Sequence, residues 1–188
     1  MRARLLRLLP PTVLAAALVC LATLSGCGHI PLIGKSSDET AAACPGAAVL
    51  KPLSQTATFA GPGNGMRPTD VVFYGILSDV GAKCSTSGDT VHASLDVIIA
   101  AERGPATKGD SVDLTYFLAV VGPGETILGK TSYGVRVDVP HDARRAGIDD
   151  HIEADIPLGG QAPGALQIVA GFQQTPQTVD FYQHFRGR

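Results

Sequence analysis

In Val91-His92-Ala93-Ser94-Leu95-Asp96-Val97-Ile98-Ile99, apolar side chains occupy the odd-numbered positions, and His92, Ser94 and Asp96 occupy even-numbered ones. Successive side chains of a β-strand point to opposite faces, so this period of two predicts a strand with one buried and one wet face. Such strands are typical of antiparallel sheets that pack one face on a core. The segment therefore favours an all-β fold.

The same alternation recurs along the chain. Residues 112–121, 126–139 and 152–158 alternate in the same way, and turns rich in glycine and proline separate them. Residues 71–77 are apolar at nearly every position, which is typical of a central strand, and shorter strands are predicted near 47–50, 56–59 and 166–170. The predicted core side chains are Val72, Tyr74, Ile76, Val91, Leu95, Val97, Leu114, Tyr116, Val135, Val137, Ile156 and Ile168.

Helix signals are few. Thr175 followed by Pro176 predicts a helix that begins there and runs to about Phe185, because a hydroxyl cap followed by proline is a favourable helix start. Residues 142–146 predict one helical turn. The sequence therefore predicts an antiparallel β-sandwich of immunoglobulin-like or fibronectin-like architecture with a short C-terminal helix. A small closed β-barrel is the alternative fold.

The amino terminus has the pattern of an export signal. Arg2, Arg4 and Arg7 precede an apolar run at residues 13–24, and Leu24-Ser25-Gly26-Cys27 ends that run as a lipobox. An uncleaved membrane anchor is the alternative. However, the run is shorter than the roughly 20 residues that a membrane-spanning helix needs. Residues 1–27 are therefore predicted to be a lipoprotein signal peptide and lipobox.

These 27 residues resemble the signals of bacterial lipoproteins. The resemblance implies a diacylglyceryl thioether on Cys27 and an acyl chain on its new amino group, which together anchor a protein stably in a membrane. In Gram-negative lipoproteins an Asp directly after the lipidated Cys often retains the protein at the inner membrane, whereas this chain has Gly28. The resemblance thus implies the outer membrane, on its periplasmic face.

The remainder has the size and charge of one mildly acidic domain. Residues 28–43 contain many small and polar residues and no sustained apolar period, which predicts a flexible tether, so the β-domain is expected at 44–188. The chain has 15 basic and 17 acidic residues, and loss of three signal arginines leaves 12 against 17, a net charge of −5. Because this charge repels phosphate backbones and the chain has no Trp, nucleic acid is not an expected partner.

The four cysteines divide into two groups. Cys20 lies in the predicted signal and Cys27 would carry the lipid, which leaves Cys44 and Cys84 as an even pair. In an oxidising compartment such a pair predicts a disulfide. Two free buried thiols are the alternative.

One nucleotide-binding motif matches by its letters. Gly124, Gly129, Lys130 and Thr131 fit the phosphate-binding loop G-x-x-x-x-G-K-[ST]. That loop needs a helix directly after it, whereas the β-branched alternation after Thr131 predicts a strand. We therefore interpret the match as false and predict no nucleotide site.

Other catalytic and metal signatures are weak. His141, Asp149, Asp150 and His151 are the candidate metal ligands, in a predicted loop, but their spacing matches no common ligand pair. The chain has no Gly-x-Ser-x-Gly nucleophile motif. The sequence therefore predicts neither a cofactor nor a catalytic residue.

Four segments of the domain together resemble a proteobacterial envelope lipoprotein family with no assigned activity. They are Cys44-Pro45, Ala101-Glu102-Arg103-Gly104-Pro105, Tyr116-Phe117-Leu118-Ala119-Val120-Val121 and Ala170-Gly171-Phe172-Gln173-Gln174-Thr175-Pro176. The resemblance implies a fold and an envelope location, and no catalytic residues. We expect a non-enzymatic lipoprotein that serves as an interaction or scaffolding module for another envelope protein. The alternatives are a small-ligand or metal-binding lipoprotein that uses the loop from His141 to His151, and an enzyme that uses residues 124–131.

Overall fold

A computed structural model describes residues 44–61 and 67–185. The predicted lipobox with Cys27 and the predicted tether at 28–43 lie outside these described residues. The strands are β1 (Gly46–Val49), β2 (Gln55–Phe59), β3 (Val71–Ser87), β4 (Thr90–Arg103), β5 (Ser111–Gly122), β6 (Thr126–Asp138), β7 (Arg145–Pro157) and β8 (Gln167–Phe172), and the helix α1 is Pro176–His184. Short 3-10 turns lie at Lys51–Leu53, Pro68–Asp70, Pro123–Glu125 and Pro163–Ala165.

The strands form two four-stranded sheets that pack face to face. One sheet has the order β1-β8-β5-β6 and the other has the order β2-β3-β4-β7. All neighbouring strands are antiparallel except β1 and β8, which are parallel. The predicted all-β sandwich with a C-terminal helix is confirmed, and in the described part of the chain the sheets do not close into a barrel.

The core lies between the two sheets. The alternation that predicts β4 is confirmed, because Val91, Leu95, Val97 and Ile99 are buried against the opposite sheet. Tyr116 and Phe172 come from that opposite sheet and are fully buried. Burial of a large apolar side chain contributes about 1.5–3 kcal/mol, so these alternating faces supply most of the drive for the two sheets to pack.

The predicted inner face of β3 is wrong. Val71, Phe73 and Leu77 are buried, whereas Val72, Tyr74 and Ile76 are only half-buried on the opposite face. Both faces of this segment are apolar, so its periodicity did not distinguish them. The half-buried face still excludes water in part, because Tyr74 packs in a small cluster with Phe181 of α1.

The predicted helical turn at residues 142–146 is also wrong. Arg145 and Ala146 begin β7, where they pair with Glu102 and Ala101 of β4. Local propensity is a weak determinant for so short a segment, and pairing with an existing strand overrides it. As a result, β7 is a 13-residue strand rather than a short strand after a loop.

The predicted C-terminal helix is confirmed. The Thr175 side chain accepts a hydrogen bond from the Thr178 backbone N–H, and Pro176 is the first helical residue. The rings of Phe181 in α1 and of Phe185, directly after its end, lie 5.2 Å apart. Among the described residues, no helix combines the length and the apolar character needed to cross a membrane.

Candidate functional site

The two sides of the sandwich differ in how they expose strand edges. On one side the sheets end in β1 and β2, of four and five residues. On the other side they end in β6 and β7, each of 13 residues. An edge strand presents unpaired backbone N–H and C=O groups, and proteins usually protect these against pairing with another chain. We call the side bordered by β6 and β7 the open side.

The side that ends in β1 and β2 is closed by other parts of the chain. Cys44, just before β1, and Cys84, in β3, lie at disulfide distance with Cα atoms 5.2 Å apart, which confirms the predicted pairing. The Tyr182 hydroxyl of α1 donates to the Thr56 carbonyl of β2 at 3.1 Å. The Gln174 amide donates to the Gln55 carbonyl at 2.6 Å. Side chains thus occupy acceptors that a short edge strand would otherwise expose.

On the open side, β7 is protected by charge. Asp149, Glu153 and Asp155 are exposed on its outer face, and Asp150 points toward the core from its inner face. Exposed charges and an inward-pointing charge are two common ways to prevent an edge strand from pairing with another strand. A second β-strand of similar charge would be repelled from this edge.

Histidines bridge the acidic groups on the outer face of β4 and β7. His151 Nδ1 lies 2.8 Å from Asp96 and its Nε2 lies 2.9 Å from Glu153. Because an imidazole donates from both nitrogens only when it is protonated, this geometry fits the cation. The hydrogen bond with Asp96, followed by the one with Glu153, raises the pKa of His151. On the same face, His92 lies 2.6 Å from Asp155.

By contrast, the first ten residues of β6 carry little of this protection. Lys130 is the one charged side chain among residues 126–135. Ile127 is 64 % exposed and Leu128 is 49 % exposed at the start of the strand. Among the four edge strands of the described sandwich, β6 is therefore the one that is long and also carries few charges against pairing with another chain.

The hydrogen-bond pattern shows which β6 groups face outward. The Val139 N–H donates to the Asp110 carbonyl at 2.6 Å, directly after the pair Asp138 and Ser111. Hydrogen-bonded positions alternate along an antiparallel pair, so odd-numbered residues from 131 onward bond to β5. The N–H and C=O groups of Ser132, Gly134 and Arg136 consequently point to the free edge of β6.

An apolar cleft of about 400 Å³ opens between the two sheets on this side. Its lining includes Leu118, Val120, Leu128, Tyr133, Ile156 and Leu158. A volume of this size lies in the range of small-molecule binding sites, which are mostly apolar with a few polar groups. The same cleft would also be covered by a strand added to β6, because the inner side chains of that strand would point over it.

A buried polar contact lies beside the cleft. The hydroxyl of Tyr116 donates to Asp150 at 2.7 Å, and the Tyr116 ring stacks on Tyr133 with centroids 5.4 Å apart. Burial, and then the hydrogen bond to Asp150, raise the pKa of Tyr116 well above its usual value. The hydroxyl therefore remains a donor at physiological pH and satisfies the inward carboxylate.

A second, more polar cleft of about 320 Å³ lies near Phe59, Asp113 and Gln177. It is bordered by Gly61, where the described chain is interrupted at residues 62–66. Its lining contains no pair of side chains with the geometry of a nucleophile and base among the described residues. We therefore assign it no role.

The predicted candidate metal ligands do not form one site. Asp149, Asp150 and His151 lie in β7 rather than in a loop, and Asp150 points to the opposite face from its two neighbours. His141 is exposed before this strand. Within residues 44–61 and 67–185, no three His, Cys, Asp or Glu side chains are grouped to hold a metal ion. The expectation of a loop site from His141 to His151 is thus wrong in its geometry.

The residues of the nucleotide motif lie in a turn and a strand. Gly124 adopts a φ of 67° in the 3-10 turn, and Gly129, Lys130 and Thr131 lie in β6. The prediction of a strand after this motif is confirmed. Lys130 Nζ lies 4.1 Å from the centre of the Phe117 ring and 3.3 Å from Gln173 Oε1, so its charge faces the outer surface of the sheet.

The sequence did not indicate the open side itself. The apolar pair Ile127-Leu128 in a strand that carries little charge was the one available signal. Recognising its importance requires knowing that β6 is an edge. No protein-family model matches the chain, and no match is found among curated proteins or solved structures.

Proposed function

We propose that this chain is a non-enzymatic, lipid-anchored protein of the cell envelope, and that it acts as an interaction or scaffolding module through the free edge of β6. The proposed anchor is the lipid on Cys27, which would hold the domain at the outer membrane facing the periplasm. The lipobox pattern at residues 24–27 supports the anchor and the location. The proposed partner is an envelope protein.

The observation that carries the proposal is the contrast between β6 and the other edges. β1 and β2 are short, and β7 carries acidic groups on both faces, whereas β6 extends over 13 residues with little charge at its start. A long, weakly charged edge is a template for a further strand. Strand addition is a common mode of peptide recognition, in which backbone hydrogen bonds provide affinity.

The cleft defines what the partner strand should contain. A strand beside β6 would direct every second side chain toward Leu128, Tyr133 and Ile156, which line the cleft. Apolar side chains at those positions would stabilise the complex by about 25 cal/mol for each Å² of apolar surface that they remove from water. The proposed partner segment is therefore extended, with apolar residues at alternate positions.

The cleft also supports a second candidate function, the binding of a small apolar ligand. Its volume of about 400 Å³ and its apolar lining are suited to such a ligand. A bound ligand would protect Leu128 and Ile156 without pairing with the backbone of β6. Hydrogen exchange separates the two functions, because only strand addition protects the N–H groups of Ser132, Gly134 and Arg136.

The direct test is photocrosslinking in living cells with the full chain. A photoreactive phenylalanine analogue at Leu128, which is 49 % exposed, is expected to form a specific protein adduct. The matched control is the same analogue at Val179 on α1, which is 43 % exposed and lies away from β6. Ser132→Pro in the Leu128 variant should abolish the adduct, because it removes a free N–H from an edge position where proline is tolerated. Equal labelling at both sites, or an adduct that survives Ser132→Pro, would contradict the proposal.

A further inference from the structure

We infer that the strand which pairs with β6 is β6 of a second copy of this chain, in an antiparallel arrangement centred on Gly134. This inference rests on the proposed function, because it uses the same free edge and names its partner. The two four-stranded sheets that contain β6 would join into one continuous sheet. A two-fold interface uses the same surface of both copies, and an antiparallel pairing of identical edges has this symmetry.

The geometry of β6 allows only a limited set of registers. The inner faces of both copies must lie on the same side of the joined sheet, so each residue must face a residue of the same parity. In the register centred on Gly134, the outward N–H and C=O of Gly134 meet those of Gly134 in the second copy. Ser132 then faces Arg136 of the second copy, and these are also free-edge positions.

Charge selects this register. With Gly134 at the centre, Lys130 lies opposite Asp138 of the second copy, and this pair occurs twice. A shift of the centre to Tyr133 would place Lys130 opposite Arg136, where like charges repel. A centre at Ser132 or at Val135 would place Lys130 opposite Gly134 or Pro140, which carry no charge. A centre at Val137 would place Arg136 opposite Asp138, but it would pair only residues 136–138 of each strand. Among the registers that pair most of β6, only the one centred on Gly134 joins opposite charges.

The inner face fits the same register. Tyr133 would lie opposite Val135 of the second copy, again twice, and both side chains are half-buried in the single chain. Pairs of aromatic and β-branched side chains are among the favourable cross-strand combinations. At the centre, a Cβ built on Gly134 meets no atom within 4 Å, so the two backbones have room to approach. The edge of β7 is less suited to such a pairing, because the register that places Arg145 opposite Asp155 also places the inward carboxylate of Asp150 opposite its own copy.

A disulfide trap tests the centre of the pairing in the full chain, expressed in cells that export it. In a hydrogen-bonded antiparallel pair, opposite Cα atoms are about 5.5 Å apart, which is within the range of a disulfide. Gly134→Cys should therefore give a reducible dimer on a non-reducing gel. The matched control is Ser132→Cys on the same exposed face, because the two copies of that residue would be about 14 Å apart along the strands. It should give little dimer.

Charge reversal then tests the register. In the Gly134→Cys background, Lys130→Glu or Asp138→Lys alone should slow dimer formation by about tenfold, because two attractive pairs become repulsive. The double reversal, Lys130→Glu with Asp138→Lys, should restore the original rate. Rescue by the double variant is specific to a pairing in which these two residues face each other.

The outcomes separate this inference from the proposed function. Equal dimer from Gly134→Cys and Ser132→Cys, or failure of the double reversal to rescue, overturns the pairing about Gly134. Adducts at Leu128 with a different protein, together with no Gly134→Cys dimer, overturn the second copy as the partner and leave the proposed function intact. No adduct at Leu128 and no dimer would overturn both.

Discussion

The hydroxyl of Tyr116 donates a hydrogen bond to the carboxylate of Asp150 at 2.7 Å, from the middle of one sheet to the edge strand of the other. Tyr116 is fully buried, and Asp150 lies on the inner face of β7. The contact allows an edge strand to keep an inward charge, which discourages pairing with another strand. The contact therefore stabilises the sandwich and also keeps β7 unsuited to pairing, which leaves β6 as the free edge.

We expect Tyr116→Phe to destabilise the protein by about 1–3 kcal/mol, because it leaves a partly buried carboxylate without its donor. Urea unfolding measures this loss. The companion variant is Tyr116→Phe with Asp150→Leu, which replaces both partners by apolar groups and should be more stable than Tyr116→Phe alone. A double variant no better than the single one would show that the hydrogen bond contributes little.

The second prediction concerns Arg103, whose guanidinium connects two loops. It donates to the carbonyls of Gly109, Val139 and Ala143 at 3.0, 2.7 and 3.2 Å, and it also contacts the carboxylate of Asp110. Lysine cannot reproduce this planar set of donors. We expect Arg103→Lys to lower the free energy of unfolding by about 2 kcal/mol, as measured in urea.

Arg144 provides the control for Arg103. Its side chain is 82 % exposed and pairs with Glu102, whereas that of Arg103 is 18 % exposed. Exposed ion pairs contribute about 0–1 kcal/mol, so Arg144→Lys should change stability by less than about 0.5 kcal/mol. A similar loss from both variants would mean that the buried set of donors around Arg103 does not determine the effect.

The third prediction follows from the geometry of His151. Its two nitrogens face Asp96 and Glu153, and these contacts raise the pKa of His151 in the folded state above the value near 6.5 of the unfolded chain. The stabilisation is therefore fully present below about pH 6.5 and is lost as the pH rises through the higher folded-state pKa. NMR titration of the imidazole should show this raised pKa.

Asp96→Asn provides the control for His151. It weakens the hydrogen bond with Asp96, which is the larger of the two contacts that raise the pKa of the imidazole, so this variant should lower that pKa. His151→Gln should remove the corresponding part of the pH dependence of unfolding. A His151 pKa that does not respond to Asp96→Asn would show that the cross-strand contact is absent in solution.

The fourth prediction concerns the Cys44–Cys84 pair, which closes a loop of 40 residues. In the chain-entropy model, such a cross-link contributes about 4 kcal/mol by restricting the unfolded chain. Reduction should therefore lower the midpoint of urea unfolding strongly. The variant with Cys44→Ala and Cys84→Ala should unfold at the same low midpoint with or without reductant. A midpoint for the native chain that is insensitive to reductant would argue against the disulfide.

Local patterns predicted the elements whose signals are local. The alternation in residues 91–99 correctly predicted both β4 and its inner face, because polar side chains marked the wet positions. Thr175 and Pro176 correctly predicted the start of α1, because a helix cap depends on adjacent residues. Such signals need no knowledge of distant parts of the chain.

Predictions were wrong where distant elements decide. Phe73 and Tyr74 are both aromatic, and only the tertiary structure, which places the second sheet against Phe73 and α1 beside Tyr74, determines which face of β3 is more buried. Asp149 and His151 were expected in a loop, yet they pair with Ile98 and Asp96 of β4. The local sequence there contains glycine and charged residues, which do not favour a strand, and pairing with β4 stabilises the strand nonetheless.

The sequence by itself determined that this chain builds antiparallel sheets with one buried face, since the period of two in its apolar residues requires them. It also determined which two cysteines pair in the domain. That these sheets form a sandwich rather than a closed barrel was decided by the tertiary structure. Only the tertiary structure decided that β6 and β7 are the long edges and that an apolar cleft opens between them. The physical reason is that side-chain alternation is a local property, whereas every strand carries the same backbone donors and acceptors. Which strands remain without a neighbour therefore depends on the packing of the whole domain.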